Sequence, residues 1–551
     1  MCSGGVLSRK RRQAATAAAA NGAVERSISA VRASRIPALA VGVLALSAAT
    51  SLPALAARTS SPELAGARRG VAAASHGPTV SAALQALLRG DAITQAVYGQ
   101  DYATYVAAKR SLAKLSGTRA AELGAVLADI QAMAGAGELI PSRLPALFLT
   151  LERNTQWWTN EPLLANGQRV SFPESKLVWE YYAGQGLQIQ WLGTFGEANG
   201  YYLSGHENGD LRQVLNEAIP LATQRGGGIA WEYMFHFDGG APPWTSGLSQ
   251  GTAIQVLARA WSRFHEQAYL TAAQQALGIF ETAPPVGVRV NTPAGALYAE
   301  YTYAPSDRIL NGFIQALVGL YEYTSITQDP LGLQLFEAGD AEARALVPHY
   351  NTGAWSLYDQ FGESNLNYHE LLAEFLQHLC ERTRKGPPAT PAPAPPGAPA
   401  PPPGAATSPP GGSTTTPEAT GNTGGASAAG AKATAHAAQA AIAADQVYCA
   451  TAQQFTEDLH TPPSIALLTR TLRGGTRGGV QVSLSKIATV GLTVRQGTHV
   501  VWTNRATVEG GKPKLLWITP AKGGTFTVSL TATDLAGNFS TASGTIVVTP
   551  H

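Results

Sequence analysis

The sequence has little charge for its length. Of its 551 residues, 14% are Asp, Glu, Lys or Arg, and the formal net charge is +2. Such a balance creates neither a broad basic face for nucleic acid nor an acidic tail, so overall electrostatics indicate no nucleic-acid partner. The length leaves room for two or three domains. Recognition must therefore depend on local sites.

Cysteine is scarce as well. The sequence contains only Cys2, Cys380 and Cys449, and Cys2 lies in an N-terminal segment that we predict to be removed. A disulfide between Cys380 and Cys449 would span a low-complexity segment, but two unrelated thiols are equally compatible with the spacing. Neither alternative points to catalysis.

Motifs for metal and nucleotide chemistry are missing. HELLA begins like a zinc-protease helix at His369, but Ala373 stands where the second histidine ligand must be. No G-x-x-x-x-G-K run is present to cradle phosphate. GLSQG matches the nucleophile-elbow pattern around Ser249, but it follows a loop instead of a strand, which disfavours a serine hydrolase. We therefore predict chemistry without metal or cofactor.

The N-terminal region has the features of an export signal. The basic cluster SRKRR precedes the apolar segment IPALAVGVLALSAATSLPALA, which ends in a small-residue cleavage pattern. These features predict a Sec signal peptide at residues 1–56, a flexible segment at 57–78 and a secreted or cell-surface protein. An uncleaved membrane anchor is the alternative, because about 20 apolar residues suffice to span a bilayer.

Helical periodicity dominates residues 79–385. Segments such as AAELGAVLADIQAM and RILNGFIQALVGLYEY place apolar residues three and four positions apart. Paired helices joined by aromatic-rich loops predict an all-α (α/α) toroid or barrel, whose inner helices surround a cleft. Residues 386–445 are rich in Pro, Gly and Ala and predict an extended linker.

The pattern changes to alternation after the linker. GVQVSLS, GTFTVSLTATDLAGN and GTIVVTP read as short strands separated by turns, which predicts an all-β sandwich at residues 446–551. The longer run GTFTVSLTATDLAGNFSTASGTIVV resembles the closing strands of bacterial immunoglobulin-like modules. The resemblance implies an Ig-like domain that acts as a spacer or contacts glycan or the cell wall.

Tyrosine and tryptophan are concentrated in the loops of the helical region. Aromatic faces stack on sugar rings while hydroxyls and amides bind sugar oxygens, so the clustering predicts a saccharide cleft. Packing between helices is the alternative for any single ring. The aromatic runs are WEYYAGQGLQIQWLGTFGEANGYY, IAWEYMF, PPWTSGLSQG, YAEYTYAP, HYNTGAWSLYDQF and NLNYHE.

Four linked motifs extend this prediction to a reaction. They are PPWTSGLSQGTAIQVLARA, EYTYAPSDRILNGFIQALVGLYEY, HYNTGAWSLYDQF and NYHELLAEFLQHL. In order and spacing they resemble the C-terminal catalytic domain of D-glucuronyl C5-epimerases, over residues from about Trp179 to Leu379. The resemblance implies an α/α barrel that inverts C5 of glucuronate to iduronate in heparan-type polysaccharides, without a redox cofactor.

The resemblance also assigns roles to individual residues. Inverting C5 means removing a proton α to a carboxylate and returning one to the opposite face, so two groups must flank that carbon. By resemblance, Glu300 corresponds to the catalytic glutamate of the family, and Tyr301, Tyr358 and Tyr368 to essential tyrosines. We expect Glu300 to serve one face and Tyr368 the other. Tyr301 and Tyr358 would hydrogen-bond the developing enediolate.

Recognition of the substrate carboxylate is where the sequence departs from the family. Phe361 stands where vertebrate enzymes have an arginine, and Leu372 replaces a family histidine. Another cation or a cluster of hydrogen-bond donors must then neutralise the carboxylate, and Arg308 is the candidate nearest to Glu300 in sequence, with Lys176 in reserve. Further substrate-binding candidates inside the quoted segments are Tyr182, Trp244, Asn311 and His369.

The site loop is also expected to precede a helix. Ser306 can cap a helix that begins near Asp307, which would place Glu300 close to a helix N-terminus. The free amides and the dipole at such an end favour an anion such as a uronate carboxylate.

Three functions are compatible with these features. An epimerase acting on a uronate-containing polysaccharide is favoured. A uronate lyase begins with the same proton abstraction and differs by expelling the O4 substituent afterwards. A glycan-binding protein with an inactive site is the third, favoured by Phe361 and by the appended β-module.

Overall fold

The computed structural model describes residues 77–386 and 446–550. The predicted signal peptide, nearly all of the segment at 57–78 and nearly all of the linker at 386–445 lie outside the described residues. Residues 77–386 are rich in helix, and the strands between residues 465 and 549 form two sheets. No helix within these two ranges is both long enough and apolar enough to cross a membrane.

Side-chain caps mark where many of the helices begin. The side chains of Thr79, Thr94, Gln190, Ser246 and Asn365 each accept a hydrogen bond from an amide in the first helical turn. The helices of residues 77–386 are α1 (Val80–Arg89), α2 (Gln95–Leu112), α3 (Gly117–Gly135), α4 (Leu144–Asn160), α5 (Trp191–Ser204), α6 (Asn208–Ala218), α7 (Gly247–Phe264), α8 (Gln267–Ala276), α9 (Gly278–Glu281), α10 (Leu310–Thr327), α11 (Pro330–Leu346) and α12 (Leu366–Thr383).

The α7 and α10 helices pack closely against each other and are buried over most of their length. Glycines at the contact allow the close approach. A Cβ atom at Gly251 would lie 2.6 Å from the Cα of Ala316, and one at Gly319 would lie 2.1 Å from the carbonyl oxygen of Gly251. Because larger residues would push the helices apart, these glycines set the spacing of the two helices that carry site residues.

One predicted helix start is wrong. Ser306 does not cap a helix, because α10 begins only at Leu310, after Ile309, which makes no side-chain cap. The amide of Asp307 instead donates to the carbonyl of Ala304 at 3.0 Å, in a turn. The helix N-terminus is therefore displaced by about one turn toward the C-terminus.

Short antiparallel strands lie in the loops between helices, and they position the segments that lead into α5, α7 and α10. One three-stranded sheet precedes α5, and two hairpins precede α7 and α10. Their strands are β1 (Arg169–Val170), β2 (Trp179–Tyr182), β3 (Gly186–Ile189), β4 (Thr223–Arg225), β5 (Gly228–Ala230), β6 (Arg289–Asn291) and β7 (Ala296–Tyr298).

Residues 446–458 are helical, and this helix, α13, packs on the helical region. Its Tyr448, Ala452 and Phe455 belong to the same apolar core as α1 to α12. Cys449 forms a disulfide with Cys380 of α12, which decides between the two alternatives that the spacing left open. The predicted start of the β-module at residue 446 needs correction, since the first strand after the linker begins at Ile465.

The strands after α13 form two sheets around a separate apolar core. The sheet orders are β13-β10-β8 and β12-β11-β14-β15-β9. Buried and exposed positions alternate along β10, β11 and β14, which is the period that the sequence predicted. The strands are β8 (Ile465–Leu467), β9 (Thr471–Arg473), β10 (Arg477–Leu484), β11 (Ala488–Gln496), β12 (His499–Val508), β13 (Lys514–Ile518), β14 (Gly524–Asp534) and β15 (Phe539–Thr549).

Candidate active site

A cleft lies at the N-terminal ends of several helices. Gln190 is the N-cap of α5, Ser246 is the N-cap of α7, and Asn311 and Tyr368 lie in the first turns of α10 and α12. The residues that line the cleft are Tyr182, Gln190, Leu192, Tyr233, Phe235, Phe237, Trp244, Ser246, Leu248, Glu300, Tyr301, Ile309, Asn311, Tyr358, Tyr368 and Leu371.

Glu300 is the one carboxyl group among these lining residues. Its Oε1 accepts a hydrogen bond from Ser246 Oγ at 3.2 Å. Its Oε2 is buried and has no hydrogen-bond partner among the described residues. Burial raises the pKa of Glu300 to about 7, and the bond from Ser246 offsets only part of this rise. The group is therefore close to half-ionised at neutral pH.

Gly312 makes room for this carboxyl group. A Cβ atom at position 312 would lie 1.8 Å from Oε2 of Glu300, so any side chain would collide with it. The absence of a side chain at Gly312 thus leaves space for the unbonded oxygen of Glu300 beside the first turn of α10. The sequence motif LNGF contained this glycine, but nothing in the motif indicated its partner.

Two tyrosines next to Glu300 form part of an aromatic wall. Tyr301 stacks on Tyr303 with ring centroids 5.2 Å apart, and both rings contact Trp244 edge-on. Burial, and then the charge of Glu300, raise the pKa of Tyr301 well above its ordinary value. Tyr301 is therefore a protonated hydroxyl donor at physiological pH.

Tyr358, in the loop before α12, and Tyr368, in the first turn of α12, contact each other in the cleft. Their ring centroids are 4.6 Å apart, and their hydroxyls are hydrogen-bonded to each other. Burial raises the pKa of both phenols. The mutual bond raises the pKa of Tyr358 further and lowers that of Tyr368, which stands at about 12. Both phenols therefore keep their protons at neutral pH, and each is able to donate a hydrogen bond to a ligand.

Further rings of the cleft, which adjoin Trp244, are organised by the side-chain amide of Gln190. Gln190 Nε2 donates to the hydroxyl of Tyr182 at 3.3 Å, and the hydroxyl of Tyr233 donates to Gln190 Oε1 at 3.4 Å. Trp244 stacks on Tyr233 with centroids 4.3 Å apart. Tyr182 also packs on Phe235 at 4.6 Å. Such a surface offers flat apolar faces with a few fixed polar groups, which suits a sugar ring.

The structure brings most of the predicted residues together. Seven of them line the cleft: Tyr182, Trp244, Glu300, Tyr301, Asn311, Tyr358 and Tyr368. Sequence reasoning missed Gln190, Tyr233, Phe235, Phe237 and Ser246. The runs IAWEYMF and PPWTSGLSQG signalled some of these residues as aromatic loops or as a helix start, but not as members of one site.

Three predicted substrate-binding residues are not brought to the cleft. Arg308 is well exposed and lies 3.7 Å from Glu342. Lys176 pairs with Asp210 at 3.0 Å. His369 is buried behind the site, because it follows Tyr368 on α12 and successive residues of a helix point about 100° apart.

The electrostatics of the cleft come from dipoles more than from charges. No lysine or arginine is among the lining residues of the described chain. Instead, the N-termini of α5, α7, α10 and α12 border the cleft, and α7, α10 and α12 each have 18 residues. Helix N-termini carry a partial positive charge and free amides, so they favour an anion between them.

Metal-binding side chains are not clustered in the described part of the chain. Within residues 77–386 and 446–550, no group of three His, Cys, Asp or Glu residues could hold a metal ion. Glu300 and the tyrosines are thus the titratable groups of the cleft. Together they offer an acid or base of near-neutral pKa and several hydroxyl donors.

Comparisons with known proteins agree with this arrangement. Residues 225–387, which include Glu300, Tyr301, Tyr358 and Tyr368, match the family described as D-glucuronyl C5-epimerase C-terminus. A D-glucuronyl C5-epimerase of Caenorhabditis elegans is 32% identical over 131 residues, which cover 21% of this chain and 21% of that protein. An uncharacterized protein of Methanocaldococcus jannaschii is 26% identical over 151 residues, covering 26% of this chain and 49% of that protein. The chain thus spans between a fifth and a half of the length of these relatives.

Proposed function

We propose that this chain, whose residues 225–387 are assigned by these matches to the D-glucuronyl C5-epimerase family, inverts C5 of a uronate residue in a polysaccharide. The observation that carries the proposal is the buried Glu300. Its pKa of about 7 places a proton acceptor of suitable strength in the same cleft as the Tyr358–Tyr368 pair.

Glu300 acts on one face of the sugar ring. The C5 hydrogen lies α to a carboxyl group, and a base works best when its pKa is close to the working pH. Burial raises the pKa of Glu300 to about 7, which makes its carboxylate a stronger base than an exposed one. The unbonded Oε2, for which Gly312 leaves space, is the oxygen that would accept the proton.

Tyr368 acts on the other face. Burial raises the pKa of Tyr368 to about 12, so its hydroxyl keeps its proton at neutral pH and can give that proton to a ligand in the cleft. Returning this proton to C5 from the face opposite Glu300 inverts the centre, and the reverse reaction exchanges the two roles. A positioned acid or base of this kind contributes a rate factor of about 10²–10⁴.

Charge on the intermediate is stabilised by dipoles and hydroxyls. Removal of the C5 proton moves negative charge onto the carboxylate oxygens as an enediolate. Besides Ser246 Oγ, which donates to Glu300, the protonated Tyr301 and the amides at the N-termini of α7 and α10 are donors that border the cleft. Preorganised donors of this type lower the barrier because they need little reorganisation as charge develops. They would take the place of the family arginine, where this chain has Phe361.

The setting of the reaction is part of the same proposal. The helical region is an α/α toroid with the cleft at one end, and the strand-rich region is an Ig-like domain. The apolar N-terminal segment directs export, and the substrate is a uronate polymer of the cell envelope. The stacked rings of Tyr233 and Trp244 provide an aromatic surface for the sugar rings of this polymer.

Incubation with candidate uronate polymers in heavy water tests the proposal. An epimerase incorporates deuterium at C5 and leaves the chains intact. Unsaturated chain ends would instead indicate a lyase, which shares the first proton abstraction. Binding without deuterium or cleavage would indicate a glycan-binding protein. Glu381→Gln, at an exposed position near the end of α12, is the control for the carboxylate-to-amide change Glu300→Gln and should behave like the wild type.

A further inference from the structure

The segment that carries Tyr358 contacts the start of α10 on one side and residues 446–550 on the other. We call residues 351–365 the Tyr358 loop. On the cleft side, the carbonyl of Tyr358 accepts a hydrogen bond from the amide of Leu310 at 3.3 Å, and its amide donates to Gly362 at 2.9 Å. The first contact joins the loop to the start of α10, and the second closes a turn within the loop.

The far side of the loop contacts residues 446–550. Glu363 Oε2 accepts a hydrogen bond from the amide of Gly510, between β12 and β13, at 2.7 Å. At the other end of the loop, Asn351 Nδ2 donates to Gln454 Oε1 of α13 at 2.8 Å. The loop is therefore held at both ends by the chain that follows the linker.

His369 connects the middle of the loop to α13. Its ring stacks on Trp355 with centroids 3.6 Å apart. Nδ1 accepts from the amide of Ser356 at 3.2 Å, and Nε2 lies 2.9 Å from the carbonyl oxygen of Phe455. Because the amide can only donate and the carbonyl can only accept, the neutral tautomer with hydrogen on Nε2 satisfies both. Burial lowers the pKa of His369 to about 4, which keeps the ring neutral.

The strand-rich region is in turn fixed to α13. Lys486, directly before β11, is fully buried and lies 3.0 Å from Asp534 of β14. Its ammonium also donates to the carbonyls of Asp458, the last residue of α13, and of Thr461, three residues further on. The same ammonium lies 5.1 Å from the centre of the Trp355 ring. One buried cation thus joins the sheets, α13 and the Tyr358 loop.

We infer that residues 446–550 are a structural part of the catalytic site, in which Glu363 and His369 act as positioning residues that hold the Tyr358 loop against α10. The inference rests on the proposed function in one respect, which is that Tyr358 takes part in the reaction. It gives the strand-rich region a role within the molecule, in addition to any contact with glycan or the cell wall.

Glu363→Ala in the full chain tests the inference in two ways. Hydrogen exchange of the amides in residues 351–365 should accelerate about tenfold, because the lost bond between an amide and a carboxylate is of the stronger, charge-assisted kind. Glu363→Gln retains an acceptor for Gly510 and should exchange nearly as slowly as the wild type. Gln454→Ala, which removes the contact from the α13 side, should also accelerate exchange in the loop. Unchanged exchange in both alanine variants would overturn the inference whether or not the protein is an enzyme.

Kinetics distinguish positioning from general stabilisation. On a uronate polymer turned over by the wild type, Glu363→Ala should lower kcat about tenfold with little change in KM. In a Tyr358→Phe background, the same substitution should have almost no further effect, because the two changes act through one hydroxyl. A full additional loss in that background would overturn the inference. Absence of turnover by the wild type would refute the proposed function and leave the exchange result to decide this inference.

Discussion

Replacing Glu300 by glutamine should stabilise the folded protein, and more so at alkaline than at acidic pH. Burial raises the pKa of this group to about 7 from its ordinary value of 4.5. Between these two values the folded state keeps a proton that the unfolded chain has lost, so stability falls as pH rises through this window. One pKa unit corresponds to about 1.36 kcal/mol, so the accumulated cost reaches about 3 kcal/mol above neutral pH. Glutamine does not titrate and avoids this cost.

Thermal unfolding of wild type and Glu300→Gln at about pH 5 and about pH 8 measures the effect. The advantage of the variant should grow by about 5 °C between the two conditions, taking about 2 °C per kcal/mol for a region of this size. Glu381→Gln, an exposed substitution on α12, should show no such growth. If the difference between wild type and Glu300→Gln is the same at both pH values, Glu300 is not a desolvated carboxyl group, and its assignment as a near-neutral base fails.

Three further substitutions test the geometry of the site. Tyr368→Phe removes one hydroxyl and should lower the rate of C5 exchange about 10²-fold or more, whereas a rate within a few fold of wild type would assign the second face to another group. Gly312→Ala places a methyl group where Glu300 Oε2 lies, 1.8 Å from the new Cβ. The variant should therefore lose most of its kcat while its melting temperature changes little. An active Gly312→Ala variant would show that the carboxyl group lies elsewhere. Arg308→Ala should leave KM for the uronate polymer unchanged, because Arg308 faces Glu342 outside the cleft; a clear rise in KM would restore it as the carboxylate ligand.

The sequence predicted the helical region and the alternating strands because both depend on periodic apolar positions, which are local features. It did not predict the boundary between them. Residues 446–458 follow an Ala-rich segment and precede the first strand, and only tertiary contacts show that Tyr448 and Phe455 complete the helical core. The disulfide between Cys380 and Cys449 could not be decided from spacing, because it depends on where α13 packs.

Within the site, the resemblance pointed to Glu300 and to tyrosines that lie in one cleft, but sequence position could not give the direction of side chains. Tyr368 and His369 are adjacent in one motif, but neighbouring residues of a helix point in different directions. Tyr368 lines the cleft, whereas His369 contacts the carbonyl of Phe455. Arg308 is close to Glu300 in sequence, but the turn before α10 directs it toward Glu342. Gln190 was overlooked because an amide that organises tyrosine hydroxyls has no sequence signature.

The central claim is that Glu300 carries the C5 proton on one face of the uronate. Its most direct test follows deuterium at C5 by NMR in heavy water, with wild type and Glu300→Gln, starting separately from each of the two C5 epimers. We expect the wild type to label both epimers, and Glu300→Gln to lose labelling from at least one of them while still binding the polymer. Labelling by Glu300→Gln at the wild-type rate from both epimers would contradict the claim.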